Sequence, residues 1–239
     1  SEKSVYIIGA GISGLVAAIE LEKVGYFPVI LEASDGIGGR VKTVEAYGYL
    51  LDQGFQVLLT AYPELSRYLD LDKLNLKKFK PGAIIFEGGE GSFAVHDPLR
   101  NPLKLFSMAF SKVGTVWDKY KMYALTKKLK EKSIEEIFDS PQQTTLAYLE
   151  GYGFSKRIVH NFFKPFFSGI FLEDKLSTSS AMFEFVFKMF GEGYAAIPQK
   201  GMGEISQQLY SQLEHTQVRF QTKVSSIEKN TIHLESGNQ

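Results

Sequence analysis

Residues Val5 to Gly14 read Val-Tyr-Ile-Ile-Gly-Ala-Gly-Ile-Ser-Gly, an apolar run delivered straight into three glycines spaced G-x-G-x-x-G. A chain with that beginning has few folds open to it. Glycine alone permits so tight a strand-to-helix turn and lets backbone N–H groups come close to a ligand. The residues that follow, with Leu15, Ala18, Ile19 and Glu22 at helical spacing, predict a helix from Leu15 to Val24 closed by Gly25. Its positive N-terminal end would face the glycines, a place where a pyrophosphate binds without a lysine.

The next segment meets the second condition of a dinucleotide site. Pro28-Val29-Ile30-Leu31-Glu32 reads as a buried strand ending in an acid, and Glu32 lies 18 residues after Gly14. A carboxylate about 20 residues beyond the glycines suits the ribose hydroxyls and repels a 2′-phosphate, which disfavours NADP. Then comes Gly36-Ile37-Gly38-Gly39-Arg40. Two adjacent glycines before an arginine predict a second close approach of backbone to the same ligand, with Arg40 offering its planar fork to a pyrophosphate or to another part of that ligand. A bare β-α-β unit with no ligand and an ordinary surface arginine are the plainer readings of these two motifs.

The glycine fingerprint, Glu32 and Gly38-Gly39-Arg40 together resemble the superfamily of FAD-dependent amine oxidases, phytoene desaturases and protoporphyrinogen oxidases. Leu51-Asp52-Gln53-Gly54-Phe55-Gln56 is similar to a strand and loop that pass near the flavin in those enzymes. Ile197-Pro198-Gln199-Lys200-Gly201-Met202-Gly203-Glu204-Ile205, followed by Leu209 and Leu213, resembles the segment that returns the chain to the FAD domain. Phe162 to Phe171 and Leu176 to Ser180 are closer to the desaturase-like branch. The resemblance runs from about residue 4 to about residue 235. It implies an α/β fold: a Rossmann-like FAD-binding domain of the glutathione-reductase type, with an inserted, largely helical substrate domain and a β-ribbon. It implies FAD as cofactor, bound by Gly9, Gly11, Ile12, Ser13, Gly14, Glu32, Ala33, Gly38, Gly39, Arg40, Gln53, Gly54, Phe55 and Val224. The activity implied is transfer of a hydride from a C–H bond of a small-molecule apolar or amine substrate to the flavin. Val224 would meet the adenine through its backbone, though a plain core strand residue is an equal reading. A simple NAD-dependent dehydrogenase fits less well, since Gly38-Gly39-Arg40 has no role in an NAD site.

Composition narrows the function classes. The 239 residues carry 27 Lys and Arg against 27 Asp and Glu, so no overall charge argues for nucleic acid. With no cysteine, there is no disulfide, thiolate nucleophile, zinc–thiolate site or cysteine-linked flavin. That usage, with no signal peptide before the first strand and no apolar run near the roughly 20 residues of a membrane span, points to a cytoplasmic protein.

The pattern along the chain predicts an FAD domain from residues 1–75 and 196–239 around a substrate domain of residues 76–195. Helical spacing is expected over Tyr62 to Leu69 and over most of Asn101 to Phe190, with Ser155 and Thr178 to Ser180 as candidate N-caps and Pro141 and Pro165 as interruptions. Hairpins are expected at Pro81 to Asp97 and from Val224 to Leu234. The chain stops at Gln239 within what reads as a β-meander, without the G-D motif that holds the flavin's ribityl chain and pyrophosphate in the superfamily. A non-catalytic FAD- or ADP-binding fragment that needs a further C-terminal segment is therefore the alternative function.

No catalytic residue stands out, which suits a reaction whose acceptor is the cofactor. The four histidines, His96, His160, His215 and His233, show no metal-ligand spacing, and no metal site is expected. His160 reads as a packed or hydrogen-bonded helix residue, and Asp52 as either a turn cap or a buried flavin-side carboxylate. Eleven Phe and Tyr fall within residues 154–194. They read as a helical core or as the wall of a cavity for a large apolar substrate. Residues 100–132 hold nine Lys and Arg against two acids, interleaved with Trp117, Phe106 and Phe110. That is either a solvated face or a basic amphipathic helix able to lie peripherally on an anionic membrane. Oligomeric state has no signal in the sequence.

Overall fold

In the computed structural model Tyr6–Ile8 forms strand β1, which runs parallel to β2, Val29–Leu31, in the register Tyr6 to Val29 and Ile8 to Leu31. Between them lies helix α1, Ile12–Lys23, which begins three residues earlier than its apolar periodicity suggests. It ends where expected, with Val24 as C-cap and Gly25 beyond it at φ +84°. The structure describes residues 5–54, 57–80, 82–87, 91–96 and 114–235, and the chain divides into two compact units, 1–78 with 195–239 and 79–194.

The first unit is mixed α/β. After β2 come an antiparallel ribbon, β3 (Thr43–Ala46) and β4 (Tyr49–Asp52), then β5 (Leu58–Leu59), a short helix α2 (Leu65–Tyr68) and β6 (Lys77–Lys78). The helical spacing at Tyr62 to Leu69 thus yields one turn only. The chain re-enters the unit as β9 (Ala195–Ile197), which pairs with both β5 and β6. Helix α9 (Gly203–Tyr210) packs on α1. Strand β10 (Gln217–Arg219) then adds parallel to the free side of β2, giving the order β1-β2-β10. The hairpin β11 (Val224–Glu228) and β12 (Thr231–Leu234) closes the described chain. Leu15, Ala18 and Ile19 of α1, Ile30 of β2, and Met202, Ile205 and Leu209 in and before α9 form one buried cluster. Burial of the Leu, Ile and Met side chains, worth roughly 1.5–3 kcal/mol each, is what holds helix to sheet.

The second unit opens with the hairpin β7 (Gly82–Glu87) and β8 (Gly91–His96). Its helices are α3 (Val116–Glu131), α4 (Ile134–Phe138), α5 (Thr145–Gly151), α6 (Lys156–Ile158), α7 (Lys164–Phe171) and α8 (Ser180–Glu192). A π-helical turn, Val159–Phe163, joins α6 to α7. Pro165 lies just past the π turn, so the helical run is interrupted there by the change from π to α hydrogen bonding, with the proline in the first turn of α7 where it is tolerated. Ser155 and Ser179 cap α6 and α8, and Thr115, Ser133 and Thr144 cap α3, α4 and α5 in the same way. The dense aromatics are the core of this unit: Phe163, Phe167 and Phe183 are at most 1% exposed. Phe163 meets Phe183 at 5.9 Å between ring centroids, and Phe167 meets Phe183 at 4.8 Å. His160 is exposed on the π turn, not packed.

Candidate functional site

The glycine turn connects β1 to α1 and is fixed at both ends. The Gly9 N–H donates to the Leu31 carbonyl at 2.8 Å, which carries the β1–β2 ladder one step past the strands. Gly9 has φ +93°, a conformation that excludes most side chains. Any Cβ at Gly14 would collide with the Gly9 carbonyl, so the third glycine is set by the contact of helix with turn. Gly11 is different. Its φ is −75°, open to any residue, and a Cβ there would meet nothing within 4 Å. Neither backbone strain nor packing against any described residue requires a glycine at this position. Gly11 is also the N-cap of α1, and no side chain caps this helix. The leading N–H groups of α1, including those of Ile12 and Ser13, have no helical partner, and the positive end of the helix dipole points outward.

Glu32 extends directly from β2 to this turn. Its Oε2 accepts from the Ala10 N–H at 2.7 Å, and its Oε1 accepts from the Ser34 N–H at 2.8 Å and the Ser34 hydroxyl at 2.7 Å. Burial raises the cost of its charge, but those bonds outweigh it, and with Lys42 nearby they hold the carboxyl below its usual range. Ala33 is exposed beside it. Ala10 and Ser34 escape a motif search because they act through backbone N–H groups or a local turn. Glu-Ala-Ser-Asp-Gly is a turn composition, and that was the available signal for Ser34.

The Gly38-Gly39-Arg40 loop lies against the same turn. The Gly38 N–H donates to the Ala10 carbonyl at 2.8 Å, Gly11 and Gly38 form a parallel bridge, and a Cβ at Gly39 would stand 3.6 Å from the Gly11 Cα. Arg40 is exposed and makes no ion pair among the described residues. Gln53 donates its N–H to the Lys42 carbonyl at 2.9 Å, and a Cβ at Gly54 would lie 2.8 Å from the Arg40 carbonyl, so the end of the β3–β4 ribbon seats this loop. Phe55 lies outside the described residues. Past β10, Gln221 and Thr222 donate their N–H groups to the carbonyls of Ser34 and Glu32 at 2.9 and 2.8 Å. These bonds bring the chain before Val224 to the Glu32 corner, and Val224 itself opens β11, half-buried.

Asp52 is a cap. Its Oδ1 accepts from the Met202 N–H at 2.9 Å, at the start of α9, and from the Thr43 hydroxyl at 2.5 Å. Among the described residues no group of three or more His, Asp and Glu side chains is placed to hold a metal ion. The arrangement as a whole is an open helix N-terminus with a carboxylate, a glycine pair and an arginine around one turn. Such a turn can bind a group with phosphates and a ribose.

Residues 12–239 match the family described as flavin containing amine oxidoreductase. Protoporphyrinogen oxidase 2 of Arabidopsis thaliana is 26% identical over 181 residues, covering 75% of this chain and 34% of that protein. Phytoene desaturase of Fusarium fujikuroi is 34% identical over 104 residues, covering 41% of this chain and 18% of that protein. Putrescine oxidase bound to putrescine superposes with a TM-score of 0.68 at 20% identity, covering 98% of this chain and 55% of that one. The fold is therefore of the mixed α/β type found in that oxidase, and this chain spans about a third or less of the two curated relatives.

Proposed function

This chain belongs to the flavin-containing amine oxidoreductase family, and from that premise we propose that residues 1–78 with 195–239 form its Rossmann-like FAD-binding domain, of the glutathione-reductase type, with residues 79–194 as an inserted substrate domain. The observation that carries this reading is Gly11. It faces open space beside an uncapped helix, where a side chain would stand in the way of a pyrophosphate and of no described residue. The residues present fit FAD: N–H groups at the start of α1 for the pyrophosphate, Glu32 for ribose hydroxyls, and Gly38 to Arg40 beside them. Ile12, Ser13, Ala33, Gln53, Gly54, Phe55 and Val224 complete the set.

Bound FAD supplies the acceptor for a hydride taken from a C–H bond of an amine or apolar substrate, and the whole protein acts as an oxidoreductase of that kind. This chain's residues bind and orient the adenine half, and Arg40 brings a positive charge with no ion-pair partner among the described residues. Titration with FAD, ADP and NADP tests the assignment. FAD should bind, ADP should compete with it, and NADP should bind more weakly because Glu32 repels its 2′-phosphate. Failure of both FAD and ADP to bind would overturn the assignment.

A second reading concerns the membrane. Helix α3 turns Leu125 and Leu129 inward and exposes Val116, Trp117, Tyr120 and Tyr123 by 53–73% on the opposite side. Lys121, Lys127, Lys128 and Lys130 flank them. Apolar and aromatic groups ringed by lysine suit peripheral contact with an anionic bilayer, though much of the basic stretch of residues 100–132 lies outside the described residues. Among the described residues no helix is long and apolar enough to cross a membrane. Cosedimentation with phosphatidylserine vesicles at low salt should exceed that with neutral vesicles, and Trp117→Ala with Tyr120→Ala should abolish the excess. Equal sedimentation with both vesicles would end this reading.

A further inference from the structure

The start of α9 has no cap of its own: its N-cap is Met202, whose side chain makes no capping hydrogen bond. The cap comes from the β3–β4 ribbon instead. Asp52 Oδ1 accepts from the Met202 N–H at 2.9 Å, and the Thr43 hydroxyl oxygen accepts from the Gly203 N–H at 2.8 Å. The Thr43 hydroxyl spends its own proton on Asp52 Oδ1. The two side chains thus form one continuous acceptor for the two leading N–H groups, with a negative charge at the positive end of the helix dipole. The glycines around Met202 follow from this contact. A Cβ at Gly201 would collide with the Thr43 side chain, and one at Gly203 would lie 2.9 Å from the Thr43 N. Gly201 is also required by its backbone, at φ +89°.

Between Thr43 and the glycine turn runs the loop that carries Gly38, Gly39 and Arg40. The same helix grips it a second time, because the buried Ser206 hydroxyl donates to the Val41 carbonyl at 2.7 Å. The Gly38 N–H then reaches the Ala10 carbonyl. A chain of hydrogen bonds therefore runs from Asp52 and Thr43 through α9 to the loop, and from the loop to the phosphate-facing turn.

We propose that Thr43 and Asp52 are positioning residues for the cofactor site: by capping α9 they hold the Gly38–Val41 loop, and with it Arg40, against the Gly9–Gly14 turn. The proposal rests on the FAD reading for its consequence in binding, but the pinning of the loop does not need a ligand. Amide hydrogen exchange tests it on the unliganded 239-residue chain. Thr43→Val removes the hydroxyl at nearly constant volume, and Thr43→Ser restores it. In Thr43→Val, exchange at Gly38 and Val41 should rise by about tenfold or more while Ile30 and Leu31, in the central strand, stay protected. Thr43→Ser should return Gly38 and Val41 to their original rates. Trypsin should likewise cleave after Arg40 faster in Thr43→Val and in Asp52→Asn.

Unchanged exchange at Gly38 would overturn the proposal. So would a uniform rise that includes Ile30 and Leu31, since that would mean general destabilisation with no particular hold on the loop. FAD titration of the same proteins separates the two ideas. If the unsubstituted chain binds FAD, Thr43→Val should weaken it about tenfold, which is about 1.4 kcal/mol, and Thr43→Ser should not. Loss of loop protection in a chain that never binds FAD would sustain the pinning and sink the cofactor reading instead.

Discussion

Two glycines of one motif have opposite physical reasons, and substitution separates them. At Gly14 an added methyl group must push the start of α1 off the Gly9 carbonyl. Gly14→Ala should cost roughly 1–3 kcal/mol of stability, the usual range for overpacking. At Gly11 the backbone already lies where alanine is comfortable and the space is empty. Gly11→Ala should leave stability within about 0.5 kcal/mol. The same methyl stands over the N–H groups of α1, and FAD affinity should fall by about tenfold or more. Urea denaturation alongside FAD titration checks both. A stable Gly14→Ala, or a Gly11→Ala that binds FAD as well as the parent, would contradict the roles assigned here.

Elements of this protein are tied at their ends by side chains from other elements, and this decides what the sequence disclosed. The β1–α1–β2 unit was legible because its strands are short apolar runs and its turn is made of glycine. Ser155 and Ser179 were legible as caps because each stands just before its own helix. The caps on α9 were not, since Thr43 and Asp52 lie about 150 residues before the N–H groups they take. The exposure of His160 is hidden in the sequence for a related reason: a π turn shifts the helical phase and swings a residue in apolar surroundings outward. The ring-dense segment 154–194 has the composition of a cavity wall and of a core alike, and only packing distinguishes them.

Lys188 of α8 is a further tie of this kind. Its buried ammonium donates to the Leu129 and Lys130 carbonyls, at 2.8 and 3.1 Å, at the end of α3, and pairs with Glu192 at 2.7 Å. Lys188→Met keeps the apolar stem and removes the donor. It should cost roughly 1–3 kcal/mol, the penalty for buried carbonyls left without a partner. A thermal scan that shows no loss would mean that water replaces the ammonium.

At the scale of the whole molecule, both units lean on carboxylates that bind backbone N–H groups. In the first, Glu22 accepts from the N–H groups of Glu214, His215 and Thr216, and Glu32 holds the glycine turn. In the second, Asp118 is 1% exposed and joins the starts of α3 and α6 by accepting from Thr115 and Ser155. For all three, burial favours the neutral acid but hydrogen bonds prevail and the pKa is lowered. The unfolded chain therefore takes up protons first as the pH falls. The stabilisation is complete above the unfolded values, about 4.3 for Glu and 3.9 for Asp, and is lost as the pH drops through the folded ones. Urea midpoints should hold from pH 7 to 5 and fall steeply below 4.5, with a shallower fall in Asp118→Asn.

The cofactor reading also predicts where in the molecule a ligand is felt. FAD at 100 times its Kd stabilises whatever binds it by about 2.7 kcal/mol, a slowing of about a hundredfold in exchange that requires unfolding. Every residue assigned to FAD lies in residues 1–78 or 195–239, which have their own buried cluster around Leu15, Ile30 and Met202. The other cluster, around Leu125, Phe163 and Phe183, contains no residue of the site. Amides of Ile30 and Leu31 should therefore gain protection on addition of FAD, and those of Leu125 and Leu129 should gain less or none. A gain confined to Leu125 and Leu129 would move the cofactor to the helical unit. The glycine turn would then be a strand-to-helix connection with no ligand, and the open face of Gly11 would have no function attached to it.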